Sequence, residues 1–230
     1  MNVLTPQTPE AWNAYVRSFA GWDIYYLCEY AVSLELHGDG EPLLLCFEHG
    51  AERMCYVVMR NDIADDPRFH GLLPAGRLFD LETPYGYGGP LTDAPLSPEA
   101  QQIFMEELRD YCLEQRIVTQ FLRYHPLLDN HGAVAPMTDT RYLRDTIYMD
   151  TASPELILAN MDSKNRNMVR KAQRSGVTVR EAPMSEYAPF LELYRQTMDK
   201  HSAEDYYTFG TSYFDYLGEQ LSDQAFLLYA

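Results

Sequence analysis

Apolar residues recur every three or four positions in seven stretches of the chain, and this spacing predicts amphipathic helices. The predicted helices cover residues 9–20, 26–36, 98–115, 154–161, 163–175, 187–201 and 214–221. Three of them begin with a hydroxyl side chain followed by proline, a pair that suits an N-cap and a first helical turn. These pairs are Thr8 with Pro9, Ser97 with Pro98, and Ser153 with Pro154.

Between the helices, short and nearly continuous apolar runs predict the strands of a buried sheet. The runs cover residues 42–49, 53–60, 77–81, 117–124, 142–150, 177–181 and 225–230, and a turn containing Gly50 joins the first two. Residues 83–98 hold four prolines and three glycines, which predicts a long irregular loop. This mixture of helices and strands predicts an α/β fold.

The last run, AFLLYA, has no following segment with which it could pair. A strand needs a neighbour at its edge. We therefore expect one of two arrangements for residues 151–230. Either they form the first part of a truncated domain, which we favour, or their elements dock onto a first domain formed by residues 1–150.

The composition of the 230 residues excludes several classes of protein. Hydrophobic residues make up 46% and aromatic residues 13% of the chain, which argues against intrinsic disorder. No stretch approaches the ~20 apolar residues of a membrane helix, and the N-terminus lacks the pattern of a signal peptide. The four cysteines show no CxxC spacing, so neither a zinc site nor a disulfide framework is expected, and reduced thiols fit a cytoplasmic location.

The formal net charge is −16, which argues against general binding of nucleic acid. The charge is unevenly distributed, because residues 1–150 carry −13 and residues 151–230 carry −3. Six of the 18 basic residues lie between Lys164 and Arg180. A single basic patch on an acidic chain predicts a site for one anionic group rather than for a long polyanion.

Three stretches share their order and spacing with one protein family. They are WDIYYLCEY (22–30), ETPYGYGGPL (82–91), and SKNRNMVRKAQRSGVTVRE (163–181) followed by LYRQTMDKHSAEDYYTFGTSYFDYL (193–217). Together they resemble the Fem family of peptidoglycan cross-bridge aminoacyltransferases, which contain two tandem acyltransferase domains. The chain differs from classical members, because it lacks an extended basic surface for aminoacyl-tRNA and the coiled-coil arm that some members insert in domain two.

The resemblance implies a GNAT-like acyl-CoA N-acyltransferase fold. Residues 1–150 would form one complete domain and residues 151–230 the N-terminal part of a second. It also implies transfer of an acyl or aminoacyl group to an amine, on a small-molecule or nucleotide-sugar acceptor such as a cell-wall or polysaccharide precursor. Acetyl-CoA and aminoacyl-tRNA are the possible donors. Two alternatives stay open: a catalytically silent binding or scaffold module, and an ordinary acetyl-CoA-dependent N-acetyltransferase.

The glycine-rich loop is the first candidate site. Gly86, Gly88 and Gly89 permit close backbone approach, so exposed N–H groups could hold the oxygens of a cofactor or substrate. Tyr85 and Tyr87 add rings and hydroxyls for substrate binding. The alternative is a structural turn whose tyrosines pack on the core. The spacing differs from the pyrophosphate signature of ordinary acetyltransferases, and no helix follows the loop directly.

The basic helix is the second candidate site. Lys164, Lys171 and Arg174 share roughly one face, with Arg166 and Arg170 on an adjacent face. Arginine forks and the positive helix N-terminus could clamp a diphosphate or a carboxylate. Arg166 and Arg170 are favoured, because the resemblance places basic residues here too. The alternative is a solvated face that balances the acidic first segment.

Residues 200–213 form the third candidate site. Tyr206, Tyr207 and Tyr213 could stack on a nucleotide or a sugar. The resemblance implies that this loop faces an acceptor cleft between the two domains. His201 could act as a general base, although a histidine at a helix end is more often a C-cap.

Other motifs give weaker evidence of a functional site. His125, Asp129 and His131 lie close in sequence, but their spacing is not that of a metal site. No GxSxG or Cys/His signature is present. Because amine acylation needs mainly positioning and a proton acceptor, the lack of a triad is compatible with a transferase. No catalytic residue and no oligomeric state is assigned from the sequence.

Overall fold

A computed structural model of the chain describes residues 1–135 and 138–230. The α-helices in these residues are α1 Pro9–Arg17, α2 Cys28–Glu35, α3 Pro98–Gln115, α4 Pro154–Asn160, α5 Ser163–Arg174, α6 Ala188–His201 and α7 Thr211–Gln220. The strands are β1 Asn2–Leu4, β2 Glu41–His49, β3 Glu52–Asp62, β4 Phe79–Glu82, β5 Leu91–Thr92, β6 Ile117–Phe121, β7 Arg180–Pro183 and β8 Phe226–Tyr229. None of these helices combines the length and apolar character that crossing a membrane requires.

Two of the predicted N-caps are formed. The Ser97 hydroxyl accepts a hydrogen bond from the Ala100 N–H at 3.2 Å, and the Ser153 hydroxyl accepts one from the Leu156 N–H at 3.1 Å. Thr8 occupies the N-cap position of α1 without a capping hydrogen bond from its side chain. The hydroxyl–proline pairs therefore predict the starts of all three helices correctly, although the Thr8 side chain forms no capping hydrogen bond.

The main sheet is mixed. Its order is β1-β2-β3-β4-β6, with β5 beside β3. The β4–β6 pair is parallel, and the other pairs are antiparallel. Both faces of the β2–β3 hairpin are covered, since Leu44 and Cys46 belong to one hydrophobic core and Leu45 and Phe47 to the other. Burial on both faces explains the continuous apolar runs.

The two cores lie on opposite faces of this sheet. Helix α3 supplies Phe104 and Leu108 to one core. Helices α1 and α2 supply Trp12 and Leu34 to the other, which also contains residues from the second half of the chain, Phe214 among them. The second half therefore shares a hydrophobic core with the first, and the division of the chain into domains stays a prediction.

One order of elements occurs twice in the chain. A strand, two helices and an antiparallel partner strand follow each other as β1-α1-α2-β2 and again as β7-α6-α7-β8. In each copy a short 3-10 helix separates the two helices, Ile24–Tyr26 in the first and Asp205–Tyr207 in the second. The equivalent helices α2 and α7 pack against each other. The contact between the halves is therefore formed by corresponding elements.

One predicted strand is absent, and another begins later than predicted. Residues 142–150 form no strand; they are exposed, and Ile147 is 97% accessible. A strand requires hydrogen bonds to a neighbour, and none of the strand pairings in the described residues includes this segment. The predicted terminal strand is present as β8, which pairs with the preceding strand β7 from Pro183 opposite Phe226 to Arg180 opposite Tyr229. The predicted 177–181 strand begins only at Arg180, where that pairing starts.

Candidate functional site

An aromatic cluster forms where the two halves of the chain meet. The ring of Tyr85, in the glycine-rich loop, lies 5.8 Å from the Tyr206 ring and 6.3 Å from the Tyr207 ring, measured between centroids. It also lies 6.2 Å from Phe209, which stands 4.7 Å from Tyr213. Four of the tyrosines singled out in the sequence are thus brought together.

The other side of the loop contacts the first 3-10 helix. The Tyr25 ring lies 5.4 Å from Tyr30 and 5.9 Å from Tyr87. The Tyr30 hydroxyl donates a hydrogen bond to the Tyr85 carbonyl at 2.8 Å. The loop is therefore held between the two 3-10 helices, which occupy equivalent places in the repeated order of elements.

Close packing explains the glycines of the loop. Gly86 has φ +112°, and a Cβ there would collide with the Tyr25 ring. Gly89 has φ +84°, and a Cβ there would lie 2.9 Å from a carbon of the Tyr124 ring. The Gly88 N–H donates to the Arg123 carbonyl at 2.9 Å, so this group is already engaged. These contacts explain why glycine is needed at Gly86 and Gly89. A cofactor contact at Gly86, Gly88 or Gly89 stays a prediction.

Two side chains that the sequence did not assign to this loop anchor it. The Asn130 amide donates to the carbonyls of Gly88 at 2.9 Å and Pro90 at 3.0 Å. His125 is buried and donates from Nε2–H to Asp23 at 2.7 Å, while its Nδ1 accepts from the Leu127 N–H at 3.2 Å. Both ring nitrogens are occupied, so this histidine has a structural role here. Within residues 1–135 and 138–230, no three His, Cys, Asp or Glu side chains are placed to hold a metal ion.

A cleft of about 480 Å³ opens beside the aromatic cluster. The first half contributes the end of α2, β3 and the end of β4, and the second half contributes the loop before α7. Its main polar lining residues are His37, Asp39, Asn61, Glu82, Asp205 and Tyr206. These come from four separate elements and turns, two of the residues from the second half, so the complete cleft depends on the packing of the two halves.

Hydrogen bonds fix several of these side chains. The Tyr206 hydroxyl donates to Asp39 Oδ2 at 3.0 Å, and the His37 Nε2–H donates to the Tyr206 carbonyl at 2.7 Å. The His37 ring is stacked on Phe209 with centroids 4.2 Å apart. The Asn61 amide donates to Glu82 at 3.2 Å. The side chains of both halves thus hold each other at the cleft wall.

The cleft is acidic, and two of its carboxylates, Asp39 and Glu82, have raised pKa values. Burial raises the pKa of Asp39, although the Tyr206 hydrogen bond and the nearby His37 oppose the shift. Burial also raises the pKa of Glu82, and the negative charges of Asp39 and Asp80 add to this effect. Nearby, burial is the main cause that raises the pKa of Tyr213 to about 12. The two carboxylates are therefore better proton acceptors than ordinary surface acids.

The basic helix lies apart from this cluster. Arg166 donates to the carbonyls of Leu158 at 3.2 Å and of Met161, so it binds the C-terminal end of α4. Lys164 and Arg170 are exposed. No hydrogen bond, ion pair or aromatic contact of the described residues joins α5 to the tyrosine cluster. The candidate site residues from the sequence thus fall into two groups, one in the tyrosine cluster and one on α5. The anion site on α5 stays a prediction.

His201 ends α6 and is exposed, so its role as a base also stays a prediction. The sequence reasoning missed Asp39, Glu82 and Asn61 as site residues. Asp39 belongs to the GDG turn that the sequence identified only as the end of α2. Glu82 begins the ETPYGYGGPL stretch, whose tyrosines and glycines drew the attention, and Asn61 has no motif around it. The pairing of β3 with β4 brings Asn61 and Glu82 together, and the packing of α2 against α7 accompanies the second-half wall of the cleft.

The fold and the site define a class of protein. It is an α/β protein with a mixed sheet and an acidic cleft beside a tyrosine cluster, between two halves that repeat one order of elements. Residues 129–230 match the model of the FemAB family, a family of transferases of the peptidoglycan cross-bridge. The resemblance inferred from the sequence is thereby confirmed over this range. Comparison with curated proteins and with solved structures gave no significant match.

Proposed function

We propose that this protein transfers an aminoacyl or acyl group to an amine of a cell-wall precursor. The FemAB match over residues 129–230 carries the proposal. The matched range includes α6, α7 and the 3-10 helix between them. That 3-10 helix brings Tyr206 to the cleft and Tyr207 to the aromatic cluster beside it, so the matched range supplies one wall of the site.

The repeated order of elements supports a tandem GNAT-like architecture. In this proposal residues 1–150 form the first unit, and residues 151–230 provide the opening elements of the second. Each unit starts with a strand, two helices separated by a 3-10 helix, and an antiparallel partner strand. The mixed sheet, with its parallel β4–β6 pair, is compatible with this fold.

The chemistry that such a transfer needs is modest. The amine nitrogen attacks the carbonyl carbon of an activated ester or thioester, the bond to the leaving oxygen or sulfur breaks, and the amine loses a proton. The protein must place the two reactants and accept that proton. The carboxylates of the cleft, with raised pKa values, are groups of the right kind.

The family relationship favours aminoacyl-tRNA as donor and a lipid-linked precursor as acceptor. The exposed cations of α5 are then the candidates for transient contact with the anionic part of a substrate. Acetyl-CoA is the competing donor. The engaged N–H of Gly88 and the close packing of Gly86 and Gly89 argue against a pyrophosphate cradle in the glycine-rich loop.

A transfer assay with the full 230-residue chain tests the proposal. The acceptor is a muramyl peptide with a free side-chain amine, supplied in nucleotide-linked and lipid-linked forms. One arm contains a pool of aminoacyl-tRNAs, and the other contains acetyl-CoA. We expect mass spectrometry to detect a new amide on the acceptor in the aminoacyl-tRNA arm.

A matched acceptor whose amine is already acetylated serves as control and should gain no mass. An amide formed only with acetyl-CoA would replace this donor assignment with that of an N-acetyltransferase. No amide in either arm, from protein whose fold is verified by circular dichroism, would contradict transfer and favour a binding module.

A further inference from the structure

We propose that Cys46 and Cys55 are a site of oxidative modification, at which a peroxide converts two buried thiols into a reversible disulfide across the β2–β3 hairpin. The transfer chemistry uses neither thiol, so this site is independent of the proposed function. The two cysteines stand nine positions apart in the chain, and only the register of the hairpin brings them together.

The pairing of β2 with β3 places the two cysteines opposite each other. It begins with His49 opposite Glu52 and continues in register to Cys46 opposite Cys55. Directly opposite residues of an antiparallel pair point to the same face of the sheet. Both cysteines accordingly belong to the core that also contains residues of α1 and α2, and both are free thiols.

The position of the pair along the hairpin suits a disulfide. The turn consists of residues 50 and 51, and a two-residue loop closes on a hydrogen-bonded pair, here His49 and Glu52. Hydrogen-bonded and non-hydrogen-bonded pairs alternate along an antiparallel ladder, so Cys46 and Cys55, three positions further on, form a non-hydrogen-bonded pair. The Cα atoms of such pairs are about 4.5 Å apart, within the about 4.4–6.8 Å that disulfides span.

The other two cysteines are placed differently. Cys112 is half-buried on α3 and packs against the core on the opposite face of the sheet. Cys28 shares the core of the pair, but it is the first residue of α2 and does not lie opposite either thiol on a strand. Of the four cysteines, Cys46 and Cys55 are therefore the matched pair.

Burial keeps the pair reduced under ordinary conditions. Cys46 is 3% exposed and Cys55 is fully buried. Burial raises the pKa of Cys46 to about 12 and also raises the pKa of Cys55. Because the thiolate is the reactive form, the closed protein reacts slowly. We expect oxidation to proceed through local opening of α1, which packs on this core, and to need an oxidant as small as hydrogen peroxide.

The oxidation balances with one peroxide for each disulfide. One thiolate attacks a peroxide oxygen, the O–O bond breaks, and a sulfenic acid and a hydroxide form. The sulfur of the second cysteine attacks the sulfenic sulfur, the S–O bond breaks, and the S–S bond forms as water leaves. In total the two thiols lose two protons and two electrons, and the peroxide is reduced to two waters.

Alkylation and peptide mass spectrometry after treatment with hydrogen peroxide test the site. The full chain carries Cys112→Ser, because this half-buried thiol would be oxidised by itself. Time courses are run with and without sub-denaturing urea, and the protein is then denatured and alkylated. We expect two of the three remaining thiols to resist alkylation and the peptide map to link Cys46 to Cys55. Urea should speed the reaction, and dithiothreitol should restore both thiols.

Variants assign the cross-link. Cys46→Ala and Cys55→Ala should each abolish it. Cys28→Ala, the matched change of a buried cysteine in the same core, should retain it. Oxidation should raise the urea midpoint of the Cys28→Ala chain, because a cross-link restricts the unfolded chain, and should leave that of Cys46→Ala unchanged. Circular dichroism verifies that each variant is folded.

Three results would overturn the assignment. The first is a set of thiols that all remain open to alkylation throughout both time courses. The second is a cross-link that includes Cys28 or that survives Cys55→Ala. The third is sulfinic acid at Cys46 or Cys55 without any cross-link, which would show that the second thiol does not reach the first.

Discussion

Asp39 illustrates how a single buried charge links stability to function. Its carboxylate is removed from water in the folded protein, and burial raises its pKa above the ordinary value of 3.8. A raised carboxyl pKa means that the folded protein holds a proton more tightly than the unfolded chain does. Ionisation of Asp39 therefore opposes folding.

We predict that Asp39→Asn stabilises the ligand-free protein at neutral pH. Below the unfolded pKa of 3.8 the carboxyl is protonated in both states and carries no penalty. As the pH rises through the raised folded pKa, the penalty develops and is complete above it. Urea unfolding at pH 7 should show the variant to be the more stable, and the difference should shrink as the pH falls towards about 3.8.

Glu114→Gln provides the comparison, since it removes an exposed acidic charge on α3. If Asp39→Asn destabilises the protein at pH 7 by more than this control does, Asp39 contributes to folding and the explanation of its burial is wrong.

The glycine-rich loop gives a second prediction at this scale. Gly86→Ala should lower the free energy of unfolding by at least about 2 kcal/mol, because it combines an unfavourable φ with a collision against the Tyr25 ring. Gly132→Ala is the matched control, since its Cβ would meet nothing within 4 Å. Its effect should stay within about 0.5 kcal/mol in the same denaturation experiment. Equal effects at the two positions would show that the loop does not depend on this contact.

At the scale of elements, α3 and α4 share one type of cap but differ in packing. Helix α3 buries Ala100, Phe104 and Leu108, whereas α4 buries no side chain. We predict that Ser97→Ala costs about 1 kcal/mol of global stability, because loss of the cap destabilises a helix that covers a core. Ser153→Ala should leave the global transition nearly unchanged and only fray α4. Hydrogen exchange with urea titration separates the two outcomes, and a larger global effect of Ser153→Ala would contradict the argument.

The same contrast explains what the sequence could predict. The sequence of helix α3 contains both an apolar periodicity and a start signal, and that of the β2–β3 hairpin contains two apolar runs and a turn. The local pattern is therefore enough to predict these elements. The run at 142–150 has the composition of a strand but pairs with no strand in the described part of the chain, because pairing depends on a distant partner. The tyrosines of the cluster were found through their local density. Asp39 and Glu82 were missed because they meet the second half only through the packing of α2 against α7.

At the scale of the whole molecule, charge limits the partners. The net charge is −16, and the cations of α5 lie between Lys164 and Arg174, within a helix of 12 residues that is about 18 Å long. That length matches a short anionic group. We predict no stable complex of the chain with bulk tRNA at physiological salt, because few phosphates could be neutralised and few counterions released.

Gel-shift titration measures this prediction directly. Aminoacyl-tRNA would then act as a transiently bound donor. A salt-sensitive complex at low micromolar protein would contradict the charge argument. Loss of that complex in an Arg170→Ala variant would place the tRNA on α5.

The most direct test of the account is the steady-state rate of amide formation as a function of acceptor concentration, for the wild-type chain, Asp39→Asn and Glu114→Gln. We expect Asp39→Asn to lower kcat/KM for the acceptor at least about tenfold, and to leave the dependence on donor concentration unchanged. Glu114→Gln should match the wild type. An Asp39→Asn enzyme with wild-type kcat/KM for the acceptor would contradict the claim that the carboxylates of the cleft between the two halves take part in the transfer.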